Sequence, residues 1–297
     1  MALFQKKTTL VHHITYMGIM TAINLIFIVL ATYIPLMMLL LILLLPFANT
    51  IVSYFCMKRY YLIYAVASIG LCMIFNISDT LFYVVPAIIS GFLIGVFIEK
   101  GIHPFWMVLS STIINAALTY AFIPLIDFIS RANIVETFLT IFGLKEFPYR
   151  TELVYLFIFF ISLVQCALTH FVLLSDSKKL GIEINTHVGS FVPYIIGLEA
   201  CILLSLGFGF FYKPLALTFL AMSLYFATFV LVDLMMSKKI GIYVVLGIVL
   251  FIGIIVFALF YQQLQKPYGV FLVTIFPLLV SLVSFIKNYL LKYPLNI

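Results

Sequence analysis

Apolar stretches long enough to cross a lipid bilayer follow one another along most of this 297-residue chain, with only short polar segments between them. A membrane-spanning helix needs about 20 predominantly apolar residues. The composition agrees with this pattern: 65% of the residues are hydrophobic and 9% are charged, whereas soluble domains carry roughly 25% charged residues. A soluble globular domain and a disordered chain are both excluded. The sequence predicts an all-α polytopic membrane protein.

Charged and turn-forming residues divide the apolar sequence into about ten predicted transmembrane helices. They cover approximately residues 14–34, 36–57, 61–76, 80–98, 104–129, 152–175, 190–212, 214–236, 240–262 and 269–290. A polar linker around residues 180–189 separates six spans from four. We therefore predict two parts, a six-span bundle at residues 1–177 and a four-span extension at residues 178–297.

Basic residues predict the orientation, because Lys and Arg accumulate in cytoplasmic loops. With a cytoplasmic N-terminus and ten crossings, eleven of the 16 Lys and Arg residues face the cytoplasm and five face outside. The pairs Lys58-Arg59, Lys178-Lys179 and Lys238-Lys239 all fall on the cytoplasmic side. We expect a multi-pass protein of the cell membrane with both termini cytoplasmic. Its net charge of +6 reflects these loops and not binding to nucleic acid.

Motifs typical of membrane enzymes are missing from the sequence. There is no H-E-x-x-H, no G-x-S-x-G and no G-x-x-x-x-G-K-[ST]. His12 and His13 are adjacent, so they point to different faces of a helix. We predict neither an enzyme nor a metal or cofactor site, and any ATP-driven role requires another subunit.

Polar residues inside the predicted spans are the candidates for a binding site, because lipid offers them no hydrogen bonds. Asn24, Asn49, Thr112, Asn115 and Gln165 lie in the first six spans, and we assign them to substrate binding. The alternative role for each is an interhelical hydrogen bond that stabilises the bundle.

Glu199 is predicted to lie near the middle of the seventh span. An ionisable group at that depth is costly and indicates a function, here a proton or ion coupling site. The alternative is a protonated carboxyl that bonds to a neighbouring helix. Asp233, by contrast, is close enough to Lys238 and Lys239 for an interfacial salt bridge.

Small residues recur every four positions in two spans. Ala87, Gly91 and Gly95 in the fourth span predict a face for close helix packing. Gly18 and Ala22 in the first span show the same spacing, which suits either packing within the chain or docking of a partner.

The segment between the fifth and sixth spans, residues 130–151, contains a stretch with one apolar face at residues 134–142. It predicts a short helix on the outer surface, as a connector or as a lid over an outward-facing site.

The front of the chain resembles a known family of transport subunits. The stretch YMGIMTAINLI from Tyr16, the Tyr33-Ile34-Pro35 turn and the Gly91-Phe-Leu-Ile-Gly95 helix are similar to S-components of energy-coupling factor (ECF) vitamin transporters. Phe191-Val-Pro-Tyr194 extends the similarity to the YybS-like family of predicted membrane proteins, which covers nearly the whole chain. Glycine in place of alanine at Gly18 and the four additional spans depart from the S-component pattern.

This resemblance implies a six-helix substrate-binding bundle that docks a membrane coupling subunit through Gly18 and Ala22, with two cytoplasmic ATPases supplying energy. The leading hypothesis is therefore uptake of a small organic, vitamin-like nutrient. A stand-alone proton-coupled secondary transporter that uses Glu199 is the first alternative. A membrane scaffold or assembly protein is the second.

Overall fold

The structure, a computed structural model, describes residues 6–34, 37–131, 133–141, 150–182, 192–235 and 273–292, with a few further positions between 247 and 255. These residues form helices joined by turns, and no strand occurs among them. Seven of the helices in this part of the chain are long and apolar enough to cross a bilayer. The predicted all-helical, membrane-type fold is confirmed at this level.

The helices follow one another with short connections. They are α1 (Leu10–Tyr33), α2 (Met37–Phe55), α3 (Lys58–Phe75), α4 (Ile77–Asp79), a π-helical turn (Thr80–Val84), α5 (Val85–Glu99), α6 (Pro104–Ser130), α7 (Ile134–Ile141), α8 (Arg150–Leu180), α9 (Val192–Phe211), α10 (Lys213–Met235) and α11 (Ile275–Lys292).

The long apolar helices coincide with predicted spans. The stretches that could cross a bilayer are Leu10–Leu30, Lys58–Phe75, Ile77–Glu99, Pro104–Ser130, Glu152–Ser177, Val192–Phe211 and Pro214–Val232. Shorter apolar helices, Leu44–Phe55 and Ile275–Lys287, correspond to the predicted spans at 36–57 and 269–290. The predicted span at 240–262 falls mainly outside the described residues, so the total of ten stays a prediction.

The turn between α6 and α7 has a clear local cause. Arg131 adopts a left-handed conformation with φ of 52°, which ends α6. The Asp127 carboxylate then accepts a hydrogen bond from the Ile134 backbone N–H at 2.8 Å. This bond satisfies a backbone donor at the first turn of α7. The negative carboxylate also interacts favourably with the positive end of the α7 helix dipole. The short helix predicted from the amphipathic pattern is thus present, with Leu139 fully buried.

The chain divides into two compact units. Unit 1 comprises residues 1–134 and 161–188, and unit 2 comprises residues 135–160 and 189–297. Because the α8 helix begins in unit 2 and ends in unit 1, the division does not fall at a single linker. The sequence-based boundary between residues 177 and 178 stays a prediction.

Within unit 1, α2 and α5 form the most extensive helix pair, and α5 also packs against α6. The α1 helix packs against α2 and α3. The Tyr61 hydroxyl of α3 donates to the Ile88 carbonyl of α5 at 2.8 Å, and Ser53 of α2 donates to the Phe92 carbonyl at 3.0 Å. These interhelical hydrogen bonds satisfy side-chain hydroxyls that lie between apolar helices.

One end of unit 1 collects charged residues from three separate segments. Lys6 and Lys58 both form ion pairs with Glu99, at 3.1 and 2.7 Å. The start of α1, the start of α3 and the end of α5 therefore lie at the same end of the unit. The pairs are partly exposed, so each contributes at most about 1 kcal/mol to stability.

Unit 2 is built around α9, α10 and α11, which all pack against one another. Tyr194 of α9 stacks on Phe229 of α10, with ring centres 5.1 Å apart. The Ser205 hydroxyl donates to the Ala216 carbonyl at 2.9 Å, which closes the α9–α10 hairpin with a buried hydrogen bond.

Candidate functional site

A buried polar cluster joins α1, α2 and α3 in unit 1. The Asn24 side-chain amide donates to Tyr64 Oη at 2.8 Å and to Asn49 Oδ1 at 3.2 Å. The Tyr64 hydroxyl donates in turn to Asn49 Oδ1, and Asn49 Nδ2 donates to the Leu45 carbonyl at 2.7 Å. Asn24, Asn49 and Tyr64 thus form a closed triangle, which we call the amide triangle.

One acceptor atom of the amide triangle takes no part in its hydrogen bonds. Asn24 Oδ1 is buried and has no hydrogen-bond partner among the described residues, although an amide oxygen can accept two hydrogen bonds. Close by, the hydroxyls of Thr21 and Ser68 lie 2.9 Å apart and bond to each other. The cluster therefore offers one unused acceptor among neutral polar groups.

A second polar cluster lies between α6 and α8, also in unit 1. Asn115 Nδ2 donates to Gln165 Oε1 at 2.8 Å, across 50 positions of sequence. Thr119 Oγ1 lies 3.4 Å from Asn115 Oδ1, and Thr169 donates to the Gln165 carbonyl. Thr112 and Asn115 both lie beside the Cys166 thiol. We call this group the α6–α8 cluster.

Several buried groups on these two helices have no hydrogen-bond partner that meets normal geometry among the described residues. They are Ser111 Oγ and Thr112 Oγ1 on α6 and His170 Nδ1 on α8. A buried polar group without a hydrogen bond costs about 1–3 kcal/mol, and few such groups occur in a folded protein. Ser111 and Thr112 are on the same helix as Asn115, and His170 is on the same helix as Gln165.

The structure brings the predicted substrate-binding residues into two groups. Asn24 meets Asn49 in the amide triangle, and Asn115 meets Gln165 in the α6–α8 cluster, with Thr112 one turn away from Asn115. Among the described residues no side-chain hydrogen bond links the two groups. All five side chains are buried within the protein.

Tyr64 is a member of the site that sequence reasoning missed. A tyrosine in an apolar span is indistinguishable from other aromatic residues by composition. Its signal was its spacing, because Tyr61, Tyr64, Ser68 and Cys72 share the one face of α3 that is buried.

The small residues of the fourth span lie against α2. A Cβ atom on Gly91 would lie 2.6 Å from Asn49 Cβ, and one on Gly95 would lie 2.6 Å from Ser53 Cβ. Ala87 is fully buried on the same helix. Gly18 differs, since a Cβ there would have no heavy atom within 4 Å, and Ala22 is exposed as well.

Glu199 belongs to unit 2 and not to either cluster. It lies on α9, its side chain is exposed, and Oε1 accepts a hydrogen bond from the Ser281 hydroxyl of α11 at 3.2 Å. The bond connects two helices of the unit.

Replacing Tyr64 by phenylalanine is expected to lower the free energy of unfolding by about 1 kcal/mol. The change removes a donor to Asn49 and an acceptor for Asn24 while it keeps the buried ring. Thermal unfolding of the purified protein in detergent measures the effect. Tyr33→Phe alters an exposed tyrosine of α1 and serves as the control. Equal stability of the two variants would argue against the amide triangle.

Searches with the chain find no matching family model, no matching curated protein and no matching solved structure.

Proposed function

We propose that the chain is a multi-pass protein of the cell membrane that binds a small organic, vitamin-like nutrient within unit 1. It delivers this solute together with a separate membrane coupling subunit and cytoplasmic ATPases, in the manner of the S-components and the YybS-like proteins that its sequence resembles. The observation that carries the proposal is the set of buried polar groups on α6 and α8, the helices of Asn115 and Gln165, that have no hydrogen-bond partner among the described residues. A purely structural bundle gains nothing by burying such groups.

The proposed orientation places both termini in the cytoplasm. It is supported by the ion pairs of Lys6 and Lys58 with Glu99, because they join segments that the distribution of basic residues assigns to the cytoplasmic side. Transport in this orientation takes up the solute from outside.

Docking of the coupling subunit is assigned to the outward face of α1. Gly18 and Ala22 lie on this face, and the space around Gly18 is open. Small residues let two helix backbones approach closely within a membrane, where packing drives association. An exposed small-residue face is therefore more useful to a partner helix than to the fold of unit 1.

The proposal is tested by affinity purification of the tagged full-length chain from its native membrane in mild detergent. Mass spectrometry then identifies the proteins that accompany it. We expect a membrane coupling subunit and ATPases. A preparation without ATPases, also after crosslinking, would exclude this function.

Replacing Thr112 by valine is expected to raise the free energy of unfolding of the ligand-free protein by about 1 kcal/mol, because it removes a buried hydroxyl that has no partner. The same change is expected to reduce the amount of small molecule that stays with the protein through purification. Mass spectrometry of an organic extract of wild type and variant measures this loss.

Thr50→Val is the matched control for Thr112→Val. Thr50 is equally buried, but its hydroxyl donates to the Pro46 carbonyl at 2.7 Å. Its replacement is expected to lower stability and to leave the retained small molecule unchanged. If Thr112→Val also lowers stability and retains the small molecule, the α6–α8 cluster is not the binding site.

Proton-coupled transport is the second candidate function, and the hydrogen bond between Glu199 and Ser281 is the observation that favours it. A carboxyl that joins two helices can change their contact when it gains or loses a proton. Glu199→Gln keeps an acceptor for Ser281 but cannot titrate, so it is expected to abolish the pH dependence of solute uptake in proteoliposomes. Unchanged pH dependence would remove this candidate.

A further inference from the structure

Cationic and aromatic side chains lie close together where the segment before α1 meets the C-terminal end of α2 and the N-terminal end of α3. The Lys7 backbone N–H donates to the Phe55 carbonyl at 3.0 Å, which holds Lys7 on the end of α2. Its ammonium lies 4.4 Å from the centre of the Tyr16 ring. The Arg59 guanidinium lies 4.7 Å from the centre of the Tyr60 ring.

His13 is buried among these groups. It is 1% exposed, and its ring centre lies 5.1 Å from that of Tyr60. Within the part of the chain that the structure describes, both ring nitrogens are buried without a hydrogen-bond partner, and so is the hydroxyl of Tyr16 on the same face of α1. Lys7, His12 and Arg59 are all close enough to act on the His13 ring electrostatically.

The charge around His13 is positive. Lys6 and Lys58 at this end of unit 1 are engaged with Glu99, whereas Arg59 forms no ion pair within the part of the chain that the structure describes. His13 also lies in the first turns of α1, where the helix dipole adds partial positive charge. A buried imidazole N–H donor without a hydrogen-bond partner among the described residues therefore lies within electrostatic reach of Lys7 and Arg59.

We propose that Lys7, His13 and Arg59 form a binding site for a phosphate group at this end of unit 1. The site is separate from the amide triangle and from the α6–α8 cluster. Ammonium, guanidinium and imidazole N–H groups all donate charge-assisted hydrogen bonds to phosphate oxygens. The flexible Lys7 side chain turns from the Tyr16 ring to the phosphate when it binds. A phospholipid headgroup and a soluble phosphate both carry this group.

The test uses the purified full-length chain in detergent. Native mass spectrometry counts bound phosphatidylglycerol, with phosphatidylcholine as the comparison lipid, and calorimetric titration measures inorganic phosphate. His13→Phe removes both nitrogens but keeps a ring against Tyr60, and Arg59→Gln removes an exposed cation. Each variant is expected to weaken binding by about tenfold, the usual effect of losing a hydrogen bond to a charged group.

Lys100→Gln is the matched control, because it removes an exposed cation from the same end of the unit. It is expected to bind as the wild type does. Binding of phosphatidylglycerol alone identifies a lipid headgroup as the ligand, and binding of inorganic phosphate identifies a soluble source. The proposal is overturned if neither probe binds. Wild-type binding by both His13→Phe and Arg59→Gln, or an equal loss in Lys100→Gln, would overturn it as well.

Discussion

Gly91→Ala is expected to lower the free energy of unfolding by about 3 kcal/mol, the upper part of the range for overpacking a close contact. The added methyl group would lie 2.6 Å from Asn49 Cβ, 2.9 Å from the Pro46 carbonyl oxygen and 3.0 Å from the Thr50 backbone nitrogen. Two of these atoms belong to the backbone of α2, so no side-chain rotation relieves the clash. The helices must separate, and their other contacts weaken with them.

Unfolding of the purified protein in detergent, by heat or by denaturant, measures this loss. Gly70→Ala is the control, because Gly70 lies on an exposed face of α3 with no heavy atom within 4 Å of the added Cβ. That variant is expected to be at least as stable as the wild type, since alanine favours a helix by up to about 1 kcal/mol over glycine. A Gly91→Ala protein as stable as Gly70→Ala would contradict the α2–α5 contact.

Gly18→Leu and Ala22→Leu are expected to abolish recovery of the proposed coupling subunit while the chain itself stays folded. Both positions are exposed, and the open space at Gly18 accommodates a larger side chain. A leucine there holds a partner helix away from the α1 backbone, and close approach is what stabilises such pairs in a membrane. Co-purification followed by quantitative mass spectrometry measures the loss, and thermal unfolding shows that the fold is intact.

Gly70→Leu is the control for the α1 variants. It places the same side chain at another glycine with open space, but on α3. Recovery of the coupling subunit is expected to be unchanged. Wild-type recovery with Gly18→Leu and Ala22→Leu would remove α1 as the docking surface.

The positions of the apolar helices followed from the sequence because each needs about 20 apolar residues and ends at charged or turn-forming positions. Burial followed too, because Asn24, Asn49 and Asn115 are all buried among helices, as polar residues in apolar segments were expected to be. The hydrogen-bond partners of these residues could not be predicted from the sequence. Which helix faces Asn115 depends on packing between segments that are 50 positions apart, and residue spacing within one helix carries no information about that.

The two spans with small residues at every fourth position also show what residue spacing cannot predict. Gly91 and Gly95 lie against another helix, whereas Gly18 faces open space, although the spacing in the two spans is similar. Apolar residues occupy nearly every face of α1, so hydrophobic patterning does not distinguish its inner face from its outer face. Only the arrangement of α2 and α3 around α1 does so.

The contact at Gly91 also bears on which helices of unit 1 can move relative to one another. Because a Cβ atom on Gly91 would lie 2.6 Å from Asn49 Cβ and 2.9 Å from the Pro46 carbonyl oxygen, α2 and α5 are in close backbone contact, and we expect them to move as one body. Asn49 is carried on that body, while its partners Asn24 and Tyr64 are on α1 and α3. A conformational change that opens the amide triangle is therefore a displacement of α1 and α3 relative to the α2–α5 pair, and α1 is the helix on which a partner would act.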